Sequence, residues 1–452
     1  MYAVILGGRE SGVGAALLAQ KQGYDVFVSD ASSIPAVYRS ILLDQHIAFE
    51  QEGHSSDKIS SADLVIKSPG IPCHAPIIGM LARYGMPIMG EIEFASQYVP
   101  GKVIAITGTN GKSTTAYLTY YLLKEQGANV ALVGNIGYSL ARSLVEEVCD
   151  YYVVELSSFQ LEDITSFRPH IACLLNISHD HLNRYHHDMA LYSQAKFNII
   201  KNLTQTEYFI YNHDDPWIRH YLQDHTPVGQ CLPISMAEET LSRGSIVEDQ
   251  GQSYRIHWLG QSFCIKKCLI PIPGLHNHYN ALVAITAALL AGVQSKVIEQ
   301  ALPKFQGLPH RIESCGAIHG VACYNDSKAT NVDATRVSLS SFEQPIVWIA
   351  GGQDKGNDYS QLYAIVKEKV KAMVFLGRDN AKMMAFFSSL AIPMEETDNM
   401  RSALEHALRF ACKGDIILLS PACASFDLFD NFEDRGEQFK RAIALLNQGP
   451  VP

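Results

Sequence analysis

The stretch around residues 106–115 constrains this chain most. An apolar segment, 103–107, runs into Gly108-Thr109-Asn110-Gly111-Lys112-Ser113-Thr114-Thr115, and a helical pattern continues to about Gly127. A strand, a glycine-rich turn, Lys-Ser-Thr and a helix together make a cradle for phosphate. Glycines let the backbone approach the anion, while the first N–H groups of the helix and its dipole favour negative charge. Lys112 would reach the terminal phosphates, and Ser113 or Thr114 would help to hold Mg²⁺. The pattern departs from a complete Walker A motif, because its first glycine would fall at Ile106. A chance glycine-rich turn is the competing reading, and the placement between strand and helix weighs against it.

The same strand–turn–helix unit recurs along the chain, which predicts an α/β protein built on parallel sheets. At 452 residues the chain exceeds one ordinary core. Three domains are the economical division. An N-terminal Rossmann-like domain spans 1–97, with strand 2–6, the turn Gly7-Gly8 with Gly12 and Gly14, and strand 24–29 ending at Asp30. The glycine spacing departs from GxGxxG. A third strand, 63–67, runs into Ser68-Pro69-Gly70. A central P-loop-like parallel sheet spans 98–307, with strands 103–107, 129–133, 151–156 and 171–176, an irregular stretch over 204–268, and a helix over 279–291. A C-terminal Rossmann-like domain spans 308–452, entered through Gly307-Leu308-Pro309-His310-Arg311, whose Gly and Pro suit a hinge.

Ligands of parallel sheets sit at the carboxyl ends of the strands, and those ends are chemically loaded here. Strand 129–133 runs into Gly134-Asn135. Strand 151–156 carries Glu155, and Ser157 and Ser158 follow. Strand 171–176 ends in Asn176, followed by Ser178-His179-Asp180-His181. An acid on so apolar a strand needs a partner, and a metal ion is a natural one; a capping or solvent-facing acid is the alternative. Asn176 reads as a cap. His179-Asp180-His181 lacks a third strong ligand for a zinc-type site. Lys196 falls on a predicted helix, 189–200, where pattern alone makes it a solvated lysine.

Composition excludes several classes. The net charge of −10 argues against a nucleic-acid partner. The ten cysteines are scattered without a CxxC pair, as reduced cytosolic thiols would be. The first residues lack the basic segment and cleavage pattern of a signal peptide. The longest clean apolar run, 281–291, is too short to cross a bilayer. A cytoplasmic protein without a membrane partner is expected.

Taken in order, Gly108–Thr115, Glu155–Leu161, Asn176–His181, Lys196, Gly274–Asn280 and Leu308–Arg311 resemble the Mur ligases over nearly the whole chain. Within that family, Asn325–Asn331 and Ser420–Asp427 resemble the D-glutamate-adding members. The resemblance implies ATP-dependent ligation of D-glutamate to UDP-N-acetylmuramoyl-L-alanine through an acyl phosphate, giving ADP and phosphate. ATP would be bound by Gly108, Thr109, Asn110, Gly111, Lys112, Ser113, Thr114, Asn280, Arg311 and Asp326. Two Mg²⁺ ions would involve Ser113, Glu155, His181 and Lys196, with Lys196 carbamylated so that an ammonium becomes an anionic oxygen ligand. Lys328 would approach the reacting groups. Ser11, Ser68, Pro69, Gly70, Asn135 and His181 would hold the UDP-sugar, and Thr330, Lys355, Ser425 and Phe432 the D-glutamate. The catalytic set would be Lys112, Glu155, His181, Lys196 and Lys328, in a monomer.

Residues 31–33 after Asp30 offer no basic side chain for the uridine end. A folylpolyglutamate synthetase shares the central design but would lack the first domain with Ser68-Pro69-Gly70. A nicotinamide oxidoreductase would leave the phosphate loop unexplained. A non-catalytic binding protein would not need Lys112, Glu155, His181, Lys196, Asp326 and Lys328 together.

Overall fold

The computed structural model describes residues 1–180, 182–236, 246–354 and 356–448. Short apolar strands alternate with helices from the first residue onward. Strands β1 (Tyr2–Leu6), β2 (Asp25–Ser29), β3 (Ala48–Glu50), β4 (Leu64–Lys67) and β5 (Ile88–Gly90) form a parallel sheet in the order β3-β2-β1-β4-β5. The chain winds outward from β1 in one direction, then crosses back to β4. A crevice therefore opens between the carboxyl ends of β1 and β4, the two strands that run into Gly7 and Ser68.

The central sheet repeats the logic. Strands β6 (Lys102–Thr107), β7 (Val130–Gly134), β8 (Tyr151–Glu155), β9 (Ile171–Leu174), β10 (Tyr208–Asn212) and β11 (Gln230–Ile234) are all parallel, in the order β11-β10-β9-β6-β8-β7. Its reversal point is β6, which carries the glycine-rich turn. The stretch 204–268, expected to be irregular, holds β10 and β11 and a small antiparallel sheet of β12 (Val247–Asp249), β13 (Ser253–Trp258) and β14 (Gln261–Lys266). Tyr254, Ile256, Phe263 and Ile265 are buried, while the residues between them reach the surface or its margin. That period-two burial belongs to a half-covered antiparallel sheet; its strands are too short to stand out in sequence.

The third sheet takes β15 (Glu313–Ile318), β16 (Val321–Asn325), β17 (Ile346–Gly351), β18 (Val370–Leu376), β19 (Met394–Thr397) and β20 (Ile416–Ala422) in the order β15-β16-β20-β17-β18-β19. Only β15 pairs antiparallel. Strands β17 and β20 are buried along their whole length, and separate apolar clusters cover the two faces, one around Trp348, Phe375 and Phe387 and one around Val374, Leu404 and Phe439. Continuous apolar runs are what a two-sided sheet requires.

The chain divides into two compact units. One joins Met1–Leu269 with Tyr279–Pro303, and the other joins Ile270–His278 with Lys304–Pro452. The first two sheets thus belong to one unit and share a core. Val13, Leu18 and Phe94 pack in the same cluster as Leu140, Leu144 and Tyr152. The helix Leu275–Leu290, expected to start at 279, begins four residues earlier, so the chain passes between units inside its first turns. No helix among the described residues is long and apolar enough to cross a membrane.

Buried carboxylates tie the first unit together. Glu93 accepts from the backbone of Thr165, Ser166 and Phe167 and from the Thr165 and Ser166 hydroxyls. Glu91 is less well served. Its Oε1 accepts from Ala141 N at 2.8 Å, at the start of helix Leu140–Glu146, while Oε2 has no hydrogen-bond partner. Burial pushes its carboxyl up to about 7; the Ala141 bond works against this and Glu10 adds to it. The folded state therefore holds a proton that the unfolded state has released between roughly pH 4.5 and 7. Stability associated with Glu91 is full below that window and declines as pH rises through it, by about 3 kcal/mol. Glu91→Gln should flatten this loss: its melting temperature should exceed that of the parent at pH 8 and approach it at pH 5. A parallel pH dependence for both proteins would contradict the assignment.

Candidate active site

The turn after β6 is held open by its glycines. Gly111 caps the helix Lys112–Glu125 with φ of +84°, and a β-carbon there would overlap the Asn280 side-chain amide. No side chain caps this helix, so its first N–H groups face outward for an anion. Asn176 shapes the turn. Its Oδ1 accepts from Thr109 N (3.1 Å) and Asn110 N (2.8 Å), its Nδ2 donates to Asn110 O (3.0 Å), and its own carbonyl accepts a second bond from Thr109 N. Sequence pattern reads Asn176 as a cap; the structure makes it the clamp of the phosphate loop. Behind it, Asp215 accepts from Ile177 N and caps the helix Pro216–Asp224. Thr109 is buried, and its hydroxyl meets Ser178 and Tyr192.

Two lysines converge on one carbonyl. Lys112 Nζ donates to Gly108 O (3.0 Å) and Thr109 O (2.7 Å), and Lys196 Nζ donates to the same Gly108 O (2.8 Å). Lys196 is only 1% exposed, which corrects its reading as a solvated lysine. The helix Met189–Phe197 is buried on most of its surface, so spacing alone could not assign the face of Lys196. Its ammonium lies 4.6 Å from the Tyr192 ring. Burial first, then the charge of Lys112, hold the Lys196 ammonium well below its ordinary pKa, with Asp180 opposing. An amine so placed is neutral far more often than a surface lysine.

Glu155, at the end of β8, is 1% exposed. Its Oε1 accepts from Asn135 Nδ2 at 2.9 Å, and its buried Oε2 has no hydrogen-bond partner. An orphaned carboxylate oxygen beside a phosphate cradle suits a hard divalent cation. Ser113 and Thr114 are buried in the first turn of the adjoining helix. Among the described residues no three His, Cys, Asp or Glu side chains form a metal cluster. His181 and Lys355 lie outside the described residues.

In the first sheet, a β-carbon on Gly12 would overlap the carbonyl of Gly7 and lie 3.1 Å from Ser68 Oγ, so the turn closes directly onto Ser68. Ser68 Oγ is buried and has no partner. Ser11 lies in the first turn of helix Glu10–Lys21, which no side chain caps. Pro69 is half-buried and Gly70 exposed. Asp30, the acid that follows β2, accepts from Gly8 N (2.7 Å) and Ser32 N (2.8 Å).

In the second unit, the carboxyl ends of β16, β20 and β17 lie side by side, which brings Asn325–Asn331 and Ser420–Asp427 to one edge. Asp326 is buried and accepts from the hydroxyls of Ser338 and Ser420 and from Ile312 N. Burial pushes its carboxyl up to about 6, against these bonds and the Arg311 charge. Arg311 Nε is buried without a hydrogen-bond partner. Lys328 lies 5.6 Å from the ring of Phe432, and Thr330 N donates to Lys328 O. Ser425 is buried in the loop after β20. Sequence reading missed Arg435. It is 1% exposed on helix Phe432–Gln448 and donates to Ser327 Oγ and O and to Cys423 O, joining both motifs. A lone arginine in a helical pattern carries no signal of such a role.

Three family models match the chain: the MurD N-terminal domain over residues 11–77, the Mur ligase middle domain over 106–288, and the Mur ligase glutamate ligase domain over 310–423. A UDP-N-acetylmuramoylalanine--D-glutamate ligase of Christiangramia forsetii is 46% identical over 443 residues, covering 98% of this chain and 99% of its own. The enzyme of the same name from Cytophaga hutchinsonii is also 46% identical, covering 98% of each. Among solved structures, a UDP-N-acetylmuramate-alanine ligase of Thermotoga maritima shares the fold, with a TM-score of 0.60, 20% identity, and coverage of 98% of this chain and 99% of its own.

The Asn176 clamp makes a direct prediction. Asn176→Ala removes the side-chain bonds to residues 109 and 110, and should weaken binding of a nucleoside triphosphate by roughly tenfold or more. Calorimetry on the folded variant checks this; affinity equal to the parent's would show that the loop holds its shape without the amide.

Proposed function

The chain belongs to the Mur ligases, and we propose that it joins D-glutamate to UDP-N-acetylmuramoyl-L-alanine, converting ATP to ADP and phosphate in the synthesis of peptidoglycan precursors. The observation that carries this reading is the 46% identity to D-glutamate ligases over nearly the full length of both chains. The convergence of Asn325–Asn331 and Ser420–Asp427 on one sheet edge supports it.

The division of labour follows the three sheets, with domains at 1–97, 98–307 and 308–452. Ser11, Ser68, Pro69 and Gly70 hold the UDP end of the sugar nucleotide, and Asn135 and His181 also touch this substrate. The N–H groups of Gly108 to Thr114 cradle the ATP phosphates, and Lys112 turns from the loop carbonyls toward them. Asn280, Arg311 and Asp326 contact the nucleotide. Thr330, Lys355, Ser425 and Phe432 receive D-glutamate, and Lys328 approaches the reacting carboxylate and phosphate.

The orphaned Glu155 oxygen and the buried Ser113 fit one Mg²⁺. A second Mg²⁺ would be held by His181 and a carbamylated Lys196, and a buried, depressed-pKa amine is the right nucleophile toward CO₂. Magnesium, when bound, supplies positive charge to neutralise the phosphoryl oxygens. The L-alanine carboxylate takes the terminal phosphoryl group of ATP to give an acyl phosphate. The neutral D-glutamate amine then attacks the carbonyl carbon, the tetrahedral intermediate expels phosphate, and the nitrogen gives up a proton to water. We place this reaction in the cytoplasm, in a monomer.

Phosphate release should be measured with UDP-N-acetylmuramoyl-L-alanine and ATP, offering D-glutamate, L-glutamate, L-lysine and diaminopimelate separately. Turnover is expected with D-glutamate alone. Turnover with another amino acid would move the specificity, and none with any would remove the substrate assignment. Arg311→Ala should raise the KM for ATP; an unchanged KM would sink the nucleotide role of Arg311. Rigorous removal of dissolved CO₂ should lower activity and bicarbonate should restore it, unless Lys196 works unmodified.

A further inference from the structure

Beside the crevice of the first sheet lies a cluster of charges that the reaction as described leaves unused. Lys67, the last residue of β4, is 1% exposed. Its ammonium meets Asp163 at 2.6 Å and donates to Ile71 O at 3.1 Å. From another element, Arg184 pairs with Glu162 through Nε (3.0 and 3.3 Å) and a terminal nitrogen (2.7 Å). The same guanidinium donates to Gly70 O (3.4 Å) and Ile71 O (3.5 Å) and lies 4.4 Å from the Phe159 ring. Two cations thus grip the carbonyls of Gly70 and Ile71, and two adjacent carboxylates, Glu162 and Asp163, fix the cations.

The carboxylates follow directly on the short helix Ser158–Leu161, which begins three residues after Glu155. The loop Ser68–Ile71 has backbone bonds of its own only at its start and across its turn, from Ser68 N to Leu6 O and from Ile71 N to Ser68 O. Ile71 also packs against the apolar core of the first sheet, and the charged cluster is what ties the loop's carbonyls to the segment that follows Glu155. Each cation is neutralised by a carboxylate, so neither adds net attraction for an anionic ligand. What they supply is a fixed distance between the loop that takes one end of the sugar nucleotide and the carboxylate at which its other end reacts.

We propose that Lys67–Asp163 and Arg184–Glu162 are positioning pairs for the sugar nucleotide, acting through the carbonyls of Gly70 and Ile71. The proposal rests on the ligase reading above. A ligand that must reach from one sheet edge to another gains affinity from a preset spacing, because less ordering remains to be done on binding.

The test compares Lys67→Met, Asp163→Asn and Arg184→Lys with the parent. The KM for UDP-N-acetylmuramoyl-L-alanine should rise roughly tenfold or more, as loss of charge-assisted bonds to the loop would require. The KM for ATP and for D-glutamate, and kcat at saturating sugar nucleotide, should stay within about twofold. The double variant Lys67→Met/Asp163→Leu separates positioning from stability, since an apolar pair can replace a buried ion pair without loss of stability. Its melting temperature should return to that of the parent while the raised KM persists, because the bond to Ile71 O is still missing. An unchanged KM in folded single variants would overturn the proposal, as would a KM that recovers together with the melting temperature. Calorimetry with UDP-N-acetylmuramoyl-L-alanine keeps the two readings apart. A parent that binds it without ligating overturns the ligase reading and leaves positioning to be judged from affinities; a parent that does not bind it overturns both.

Discussion

Parallel strands place every strand-to-helix turn on one edge of a sheet, and wherever the winding reverses two neighbouring turns diverge and leave a crevice. This chain uses that constraint three times. The first sheet reverses between β1 and β4, at Gly7 and Ser68. The central sheet reverses at β6, between Asn176 after β9 and Glu155 on β8. The third inserts β20 between β16 and β17, so that Asp326 and Ser425 share an edge. Every candidate site residue named from the sequence in the described part of the protein lies on or beside one of these edges or in the segments around residues 274–280 and 308–311.

Within the first unit, burial of charge decides what those edges can do. Lys196 and Lys112 share the carbonyl of Gly108, and the dry surroundings of Lys196 make its ammonium costly. Glu155 keeps one oxygen occupied by Asn135 and the other without a partner. A buried amine beside a loop built for anions and a buried carboxylate with a spare oxygen are both destabilising in isolation. On the proposed function, a divalent cation would relieve the carboxylate, and carbamylation would remove the cost of the buried ammonium. Glu93, by contrast, is satisfied by five donors, as a purely structural carboxylate should be.

Sequence reading reached the phosphate loop, Glu155 and most parallel strands because each depends on local pattern: apolar runs of five or six residues, glycines at a turn, and an acid where apolar residues surround it. Strands β3, β5, β10, β11, β15, β16 and β19 and the sheet β12–β14 escaped, since most of them are very short or mix polar residues and proline among the apolar ones. Resemblance carried Lys196 and the C-terminal motifs further than pattern could. Asn176 and Arg435 were misjudged or missed for the same physical reason: their partners lie 66 residues or more away for Asn176, and as many as 108 away for Arg435. A long-range hydrogen bond leaves no trace in spacing.

From its sequence alone the chain had to be an α/β protein with a phosphate cradle at residues 108–114, because strand, glycine turn and helix dipole are properties of adjacent residues. Tertiary structure alone decided which charges would be buried and what they would face. It turned Lys196 inward, committed Asp30 to the backbone of Gly8 and Ser32, packed the first two sheets around one core, and set Lys67 and Arg184 on the loop after β4. Burial and partnership are fixed by segments that meet only once the sheets have formed, and the free energy of a charge depends on that meeting rather than on its neighbours along the chain.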